Sequence, residues 1–316
     1  MGLLKLAHAA LVCGFLLVRT SSAESCTNGD IAECGRLVAL KQANPALRVM
    51  LSLGAKGSTG HFSAMIGDSG TRRTFIESTI TLLRKYGFDG LDIDWEFPGQ
   101  GALPFEDRKN FDLFLKETRG AFRNESRVTH RSQLLLSVAV APTEAFITEG
   151  YDAAVIAKYA DFINLMSYDY HMFKAYLPFT GHNSPLFKRK VEEGIFSTLH
   201  VAWSSEFWVQ RGATRSKLNI GLPLYGRSYT LLRPESHGFD APATGTGPGG
   251  DDGVSYPWVC QFLKEGATAV LDDESQAPYA YKNLTWVAYD DPVSVRSKVP
   301  ASARTRHSGY CTPAMA

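Results

Sequence analysis

Phe88-Asp89-Gly90-Leu91-Asp92-Ile93-Asp94-Trp95-Glu96-Phe97 has the length and apolar character of one buried strand, yet it carries four acids. Side chains alternate between faces along a strand, so Asp92, Asp94 and Glu96 share one face while Leu91, Ile93 and Trp95 share the other. The three carboxylates stand about 6.7 Å apart in succession. Burying a single unpaired charge costs several kcal/mol, so three on one covered face call for a function. Like charges at this spacing raise one another's pKa and keep a proton available near neutral pH. Glu96 is last in the row, at the C-terminal end of the strand where parallel-sheet enzymes place their sites, and is the candidate general acid. Carboxylates also hold hard cations, but no calcium-loop pattern surrounds these, and acid catalysis is the better reading.

Outward from this strand, apolar runs alternate with helical patterns. Leu47 to Leu53 reads as a strand ended by Gly54. Thr71 to Tyr86 reads as a helix with Ile76, Ile80 and Leu83 on one face and Gly87 as its cap. A second helix puts Phe111, Phe114, Leu115 and Phe122 on one side. Further strands are expected at Leu134 to Ala141, Phe162 to Tyr168 and Leu218 to Tyr225, with a helix over Val201 to Gln210 before the last. This alternation predicts an α/β fold with a parallel sheet covered on both faces. Residues 229 to 257 are rich in Gly, Pro, Asp and Ser and read as a loop or small insertion; the glycines at 245–250 lack the GK[ST] of a phosphate loop. Val299 to Ala316 holds no apolar run and reads as a loose tail.

The chain of 316 residues, 44% apolar with a net charge of +1, has no basic footprint for nucleic acid. Lys5, the apolar run Leu6 to Val18 and the small residues Ser21-Ser22-Ala23 predict a secretory leader over residues 1–23, cut after Ala23, and a secreted, extracellular protein over 24–316. About 13 apolar residues are too few to span a bilayer, so no membrane association is expected. In an oxidising compartment Cys26, Cys34, Cys260 and Cys311 allow three pairings, of which Cys26 with Cys34 and Cys260 with Cys311 is the expectation. No CxxC or HxxxH spacing supports a metal site, and neither metal nor cofactor is expected. Asn124-Glu125-Ser126 and Asn283-Leu284-Thr285 are candidate glycosylation sites. A monomer is expected.

The DxxDxDxE pattern of residues 89–96 resembles the signature of the family-18 glycoside hydrolases, the chitinases and chitinase-like lectins. Further matches follow in order: Met166-Ser167-Tyr168-Asp169-Tyr170-His171, Gly181-His182-Asn183-Ser184-Pro185, Gly221 through Ser228, Ala241 through Gly245, and Pro278 to Tyr281 followed by Trp286 to Asp291. The resemblance runs over roughly residues 30 to 298 and implies an eight-stranded (β/α) TIM barrel with a small α+β insertion, here over 229–291. It implies chitin or chitooligosaccharide as substrate. Glu96 would protonate the glycosidic oxygen, Asp94 would orient the N-acetyl group that attacks the anomeric carbon, and Asp92 would share a proton or a hydrogen bond with Asp94 and tune it. Tyr168 would donate to the acetamido group, Met166 and Asp169 would shape the pocket, and Tyr225 and Arg227 would contact sugar hydroxyls.

Against that pattern, five strands are legible where the family has eight. The first two and the last are expected to be missing, together with the last strand's tryptophan. The family's Gly-Gly-Trp after its third strand reads Gly54-Ala55-Lys56 here, which removes a stacking platform for a sugar ring. Three functions follow: a chitin hydrolase, a secreted chitin-binding lectin with weak or absent catalysis, or an interaction protein with a vestigial site. The acid Glu96 favours the first.

Overall fold

The computed structural model describes residues 10–16, 35–100 and 104–303. In chain order the first elements are β1 (Ala10–Leu16), β2 (Arg48–Lys56), α1 (Thr59–Ile66), α2 (Ser69–Tyr86), β3 (Gly90–Glu96), α3 (Pro104–Thr129), β4 (Leu135–Val140), α4 (Glu144–Gly150), α5 (Ala153–Tyr159), β5 (Phe162–Leu165), α6 (Val201–Gln210) and β6 (Leu218–Ile220). The chain then continues as β7 (Tyr225–Leu231), β8 (Ala243–Thr246), β9 (Val254–Ser255), α7 (Tyr256–Lys264), β10 (Thr268–Asp272), β11 (Ala277–Lys282), β12 (Thr285–Ala288) and α8 (Pro292–Ala303). Two compact units result, one from the described residues up to Met166 with 207–220, the other from Ser167–Glu206 with the described residues from Gly221 onward.

The first unit is a parallel sheet in the order β1-β2-β3-β4-β5-β6, with consecutive strands as neighbours. This is the α/β, TIM-barrel-like architecture expected from the alternation; no pairing of β6 with β1 closes it among the described residues. Six strands are present where five were expected. The sixth is β1, from the run read as a secretory leader, whose backbone pairs with β2 from Ala10 opposite Arg48 to Leu16 opposite Leu53. A short apolar run satisfies the pattern of a leader and of a buried strand equally, so its spacing did not separate the two.

The helices form where their signals lie. Asp68 caps α2 by accepting from the Gly70 and Thr71 amides, and Gly87 ends it in the left-handed conformation at φ 76°. Phe111, Phe114, Leu115 and Phe122 are all buried on α3, as their spacing predicted. On β3, Leu91, Ile93 and Trp95 are buried; Trp95 stacks on Phe62 of α1 at 5.2 Å and meets Phe111 of α3 edge-on at 5.5 Å. The apolar face of the acidic strand is therefore the helix-covered one.

The second unit is a different structure. Its antiparallel sheet runs β10-β11-β12-β7-β8, with β9 also paired to β7. The stretch read as a loop or small insertion, residues 229 to 257, holds the end of β7 together with β8 and β9, and the antiparallel sheet takes in β7 from Tyr225. The strand expected over 218–225 is two: β6 ends at Ile220, and Pro223, lacking an N–H, stands before β7. β5 likewise stops at Leu165, so Tyr168 is not on a strand. Val299 to Ala303 continue α8 rather than starting a tail. Tyr229, Tyr279 and Trp286 centre this unit's core. Among the described residues no helix is long and apolar enough to cross a membrane.

Candidate functional site

The acidic face of β3 is built as expected. Asp92 lies deepest, 4% exposed, while Asp94 and Glu96 are half-buried above it. Asp92 accepts hydrogen bonds from Ser52 Oγ on β2 at 2.9 Å, from Asn164 Nδ2 on β5 at 2.9 Å, and from Ser137 Oγ on β4. Burial pushes its pKa up, and these three donors pull against that rise. Asp94 is treated differently. Its Oδ1 is buried with no hydrogen-bond partner among the described residues. Burial, then the charges of Glu96 and Asp92, hold its pKa well above the usual carboxylate range. The strand thus pairs one carboxyl furnished with donors to another that favours keeping its proton.

Two further features fix this geometry. Gly54 of β2 sits at φ 118°, and a Cβ there would fall 1.9 Å from the Asp94 carbonyl oxygen, so only glycine permits β2 to approach β3 this closely. Asp89, the first acid of the motif, accepts from the Val49 amide at 2.7 Å and pairs with Lys41 at 2.8 Å; its role is to anchor the start of the strand. Lys56, standing opposite Glu96 in the ladder, is exposed.

The second unit assembles another cluster. Asp169, with φ at 60°, accepts from Tyr225 Oη at 2.7 Å and from Arg227 Nε and Nη2, both at 2.6 Å. Its own amide donates to Asn183 Oδ1 at 2.9 Å. Arg227 lies over the Tyr225 ring at 5.1 Å and its Nη1 donates to the Asp251 carbonyl. Burial alone would lower the Arg227 pKa, but the bond to Asp169 outweighs it and the guanidinium stays charged. Tyr168 meets the Tyr225 ring edge-on at 6.0 Å.

Of the residues singled out in the sequence, Asp92, Asp94, Glu96 and Met166 belong to the first unit, and Tyr168, Asp169, Tyr225 and Arg227 to the second. Met166 is half-buried, its amide bonded to the Val140 carbonyl at 3.0 Å. Cys260 lies on α7, unbonded to any described cysteine; Cys26, Cys34 and Cys311 fall outside the described residues. Asn124 on α3 and Asn283 in the β11–β12 turn are exposed. Among the described residues no three His, Cys, Asp or Glu side chains are placed to hold a metal ion. Sequence reasoning passed over Ser52, Ser137, Asn164 and Asn219, and the available signal was one polar residue on the inward face of each neighbouring apolar strand.

The model of the glycosyl hydrolases family 18 matches residues 5–310. The chain belongs to that family. Among relatives of this family-18 chain, chitotriosidase-1 of Mus musculus is 38% identical over 268 residues, 83% of this chain. The chain spans 56% of that relative's length. An immunomodulatory active chitinase of Trichuris suis has a TM-score of 0.85 at 34% identity, covering 91% of this chain and 78% of its own. Human YKL-39, described as a pseudo-chitinase that retains chitooligosaccharide binding, has a TM-score of 0.88 at 31% identity, covering 96% and 84%. The family therefore holds both catalysts and binders.

Proposed function

We propose that this family-18 chain hydrolyses β-1,4 linkages between N-acetylglucosamine residues of chitin or chitooligosaccharides, with retention of configuration. The observation that carries this reading is the row Asp92–Asp94–Glu96, complete and on one face, with a buried oxygen on Asp94 that has no partner among the described residues. Glu96 gives its proton to the glycosidic oxygen as the bond from that oxygen to the anomeric carbon breaks. The carbonyl oxygen of the substrate's own acetamido group bonds to that carbon, which Asp94 favours by holding the group in place. Water then attacks the same carbon as its bond to the acetamido oxygen breaks and the acetamido group is restored, and gives a proton back to Glu96, so two inversions give net retention. No enzyme nucleophile is needed. By the resemblance of their motifs, Tyr168 is assigned to the acetamido group, Tyr225 and Arg227 to sugar hydroxyls, and Met166 and Asp169 to the shape of the pocket.

A second reading, a chitin-binding lectin, is favoured by the likeness to YKL-39. Incubation with chitotetraose separates the two: shorter products support hydrolysis, whereas calorimetric binding without products supports the lectin. Secretion after cleavage at Ala23, the two disulfides, glycosylation at Asn124 and Asn283, and a monomeric state belong to the same proposal. Cleavage there would also remove β1 from the sheet.

A further inference from the structure

Asp92 accepts from three side chains, and they do not act alike. The hydroxyls of Ser52 and Ser137 rotate, so each can donate to a carboxylate or accept from a carboxylic acid. An amide cannot. Its donor and acceptor ends are fixed, and Asn164 presents Nδ2 to Asp92 at 2.9 Å. What orients that amide is on the next strand, where Asn219 Nδ2 donates to Asn164 Oδ1, also at 2.9 Å. Turned over, Asn164 would set its oxygen against the Asp92 carboxylate and its NH₂ against the NH₂ of Asn219. The first contact is unfavourable unless Asp92 carries a proton, and the second is unfavourable in either case. Asn164 and Asn219 stand opposite each other in the ladder and are 5% and 8% exposed, so water competes little for these bonds.

We propose that Asn219 is a positioning residue for the acidic strand. Through the Asn164 amide it holds Asp92 as an acceptor, so that the proton shared along the strand stays on Asp94. The relay crosses β6, β5 and β3. The strands around Asp92 present only uncharged groups to it, Ser52, Ser137, Asn164 and, through Asn164, Asn219. The titratable groups along the same face are Asp94 and Glu96, and the Asp92 charge is one of the causes that raise Asp94. The effect on catalysis rests on the hydrolytic reading above; the effect on Asp92 does not.

The test uses the full chain with Asn219→Leu and Asn219→Asp. Leucine removes the donor at similar size. Aspartate reverses the polarity, calls for the Asn164 NH₂, and leaves the Asn164 oxygen facing Asp92. Both favour a protonated Asp92. The acid limb of the kcat/KM profile on chitotetraose is expected to move up by less than about one pH unit in Asn219→Leu, where the Asn164 amide loses its anchor but can still donate to Asp92, and further in Asn219→Asp, where it is turned away. Melting temperature, read between about pH 4 and pH 8, gives an arm independent of activity: the variants' deficit should widen as pH rises and Asp92 ionises without its donor. A deficit equal at every pH with an unmoved limb overturns the proposal, as does a shift in Asn219→Asp that Asn219→Leu lacks. If leucine prevents folding, Asn219→Asp decides by sign, and a null or downward shift overturns it. A wild-type chain that cleaves nothing would sink the hydrolytic reading, while the melting curves would still decide the relay.

Discussion

Asp169 in the second unit and Asp94 in the first are both half-buried carboxylates, and their surroundings are opposite. Asp169 has Tyr225 and both faces of the Arg227 fork as donors, so its charge is answered on the spot. Asp94 has a buried oxygen without a donor among the described residues, and its nearest charges are of its own sign. Asp169 would be at home in any structural ion pair; Asp94 would be a liability unless its proton had work to do. The contrast separates a carboxylate that stabilises from one whose cost the proposed chemistry would explain.

The largest effect should come from the acid itself. Glu96→Gln keeps the shape but has no proton to give, and is expected to lower kcat by about 10² to 10⁴ while calorimetry records nearly unchanged binding of chitotetraose. Turnover at the wild-type rate would remove Glu96 from the mechanism.

Asp94→Asn should also slow hydrolysis strongly, and its stability should carry a sign. The folded-state pKa of Asp94 is raised, so the stability its protonated form contributes is full below the ordinary carboxylate value of about 3.9 and is lost as pH rises through the raised one. Asparagine does not suffer that loss. The variant's melting temperature should therefore gain on the wild type from acid toward neutral pH, and a gain that shrinks along that path would contradict the account.

Arg227→Met leaves Asp169 without its bidentate partner and is expected to cost about 2 kcal/mol by denaturant titration. An Arg227→Met chain as stable as the wild type would mean that the pair is not the anchor its geometry describes. Smallest of all is Asn283→Gln: the chain produced through a secretory pathway should lose the mass of one glycan, with stability unchanged within about 0.5 kcal/mol, and an unchanged mass would remove Asn283 as an acceptor.

The acidic strand was legible because period-two alternation places three acids together without any tertiary knowledge, and Trp95 then confirmed which face is covered. The helices α2 and α3 were legible for the same local reasons of periodicity and capping. The Asp169–Arg227 pair was not, because its members are 58 residues apart and only the folded chain brings them together. Nor was the relay at Asp92: a lone Asn in Phe162–Leu165 or Leu218–Ile220 looks like an ordinary interruption until the strands are in register. β1 was hidden by an ambiguity, since its seven residues serve a leader as well as a strand.

The central claim, that the row ending in Glu96 performs substrate-assisted hydrolysis, is tested most directly by proton NMR of chitotetraose during its first minutes with the wild-type chain. The account predicts shorter oligomers whose new reducing ends appear first as the β anomer. New ends appearing first as the α anomer, or no new ends at all, would contradict it.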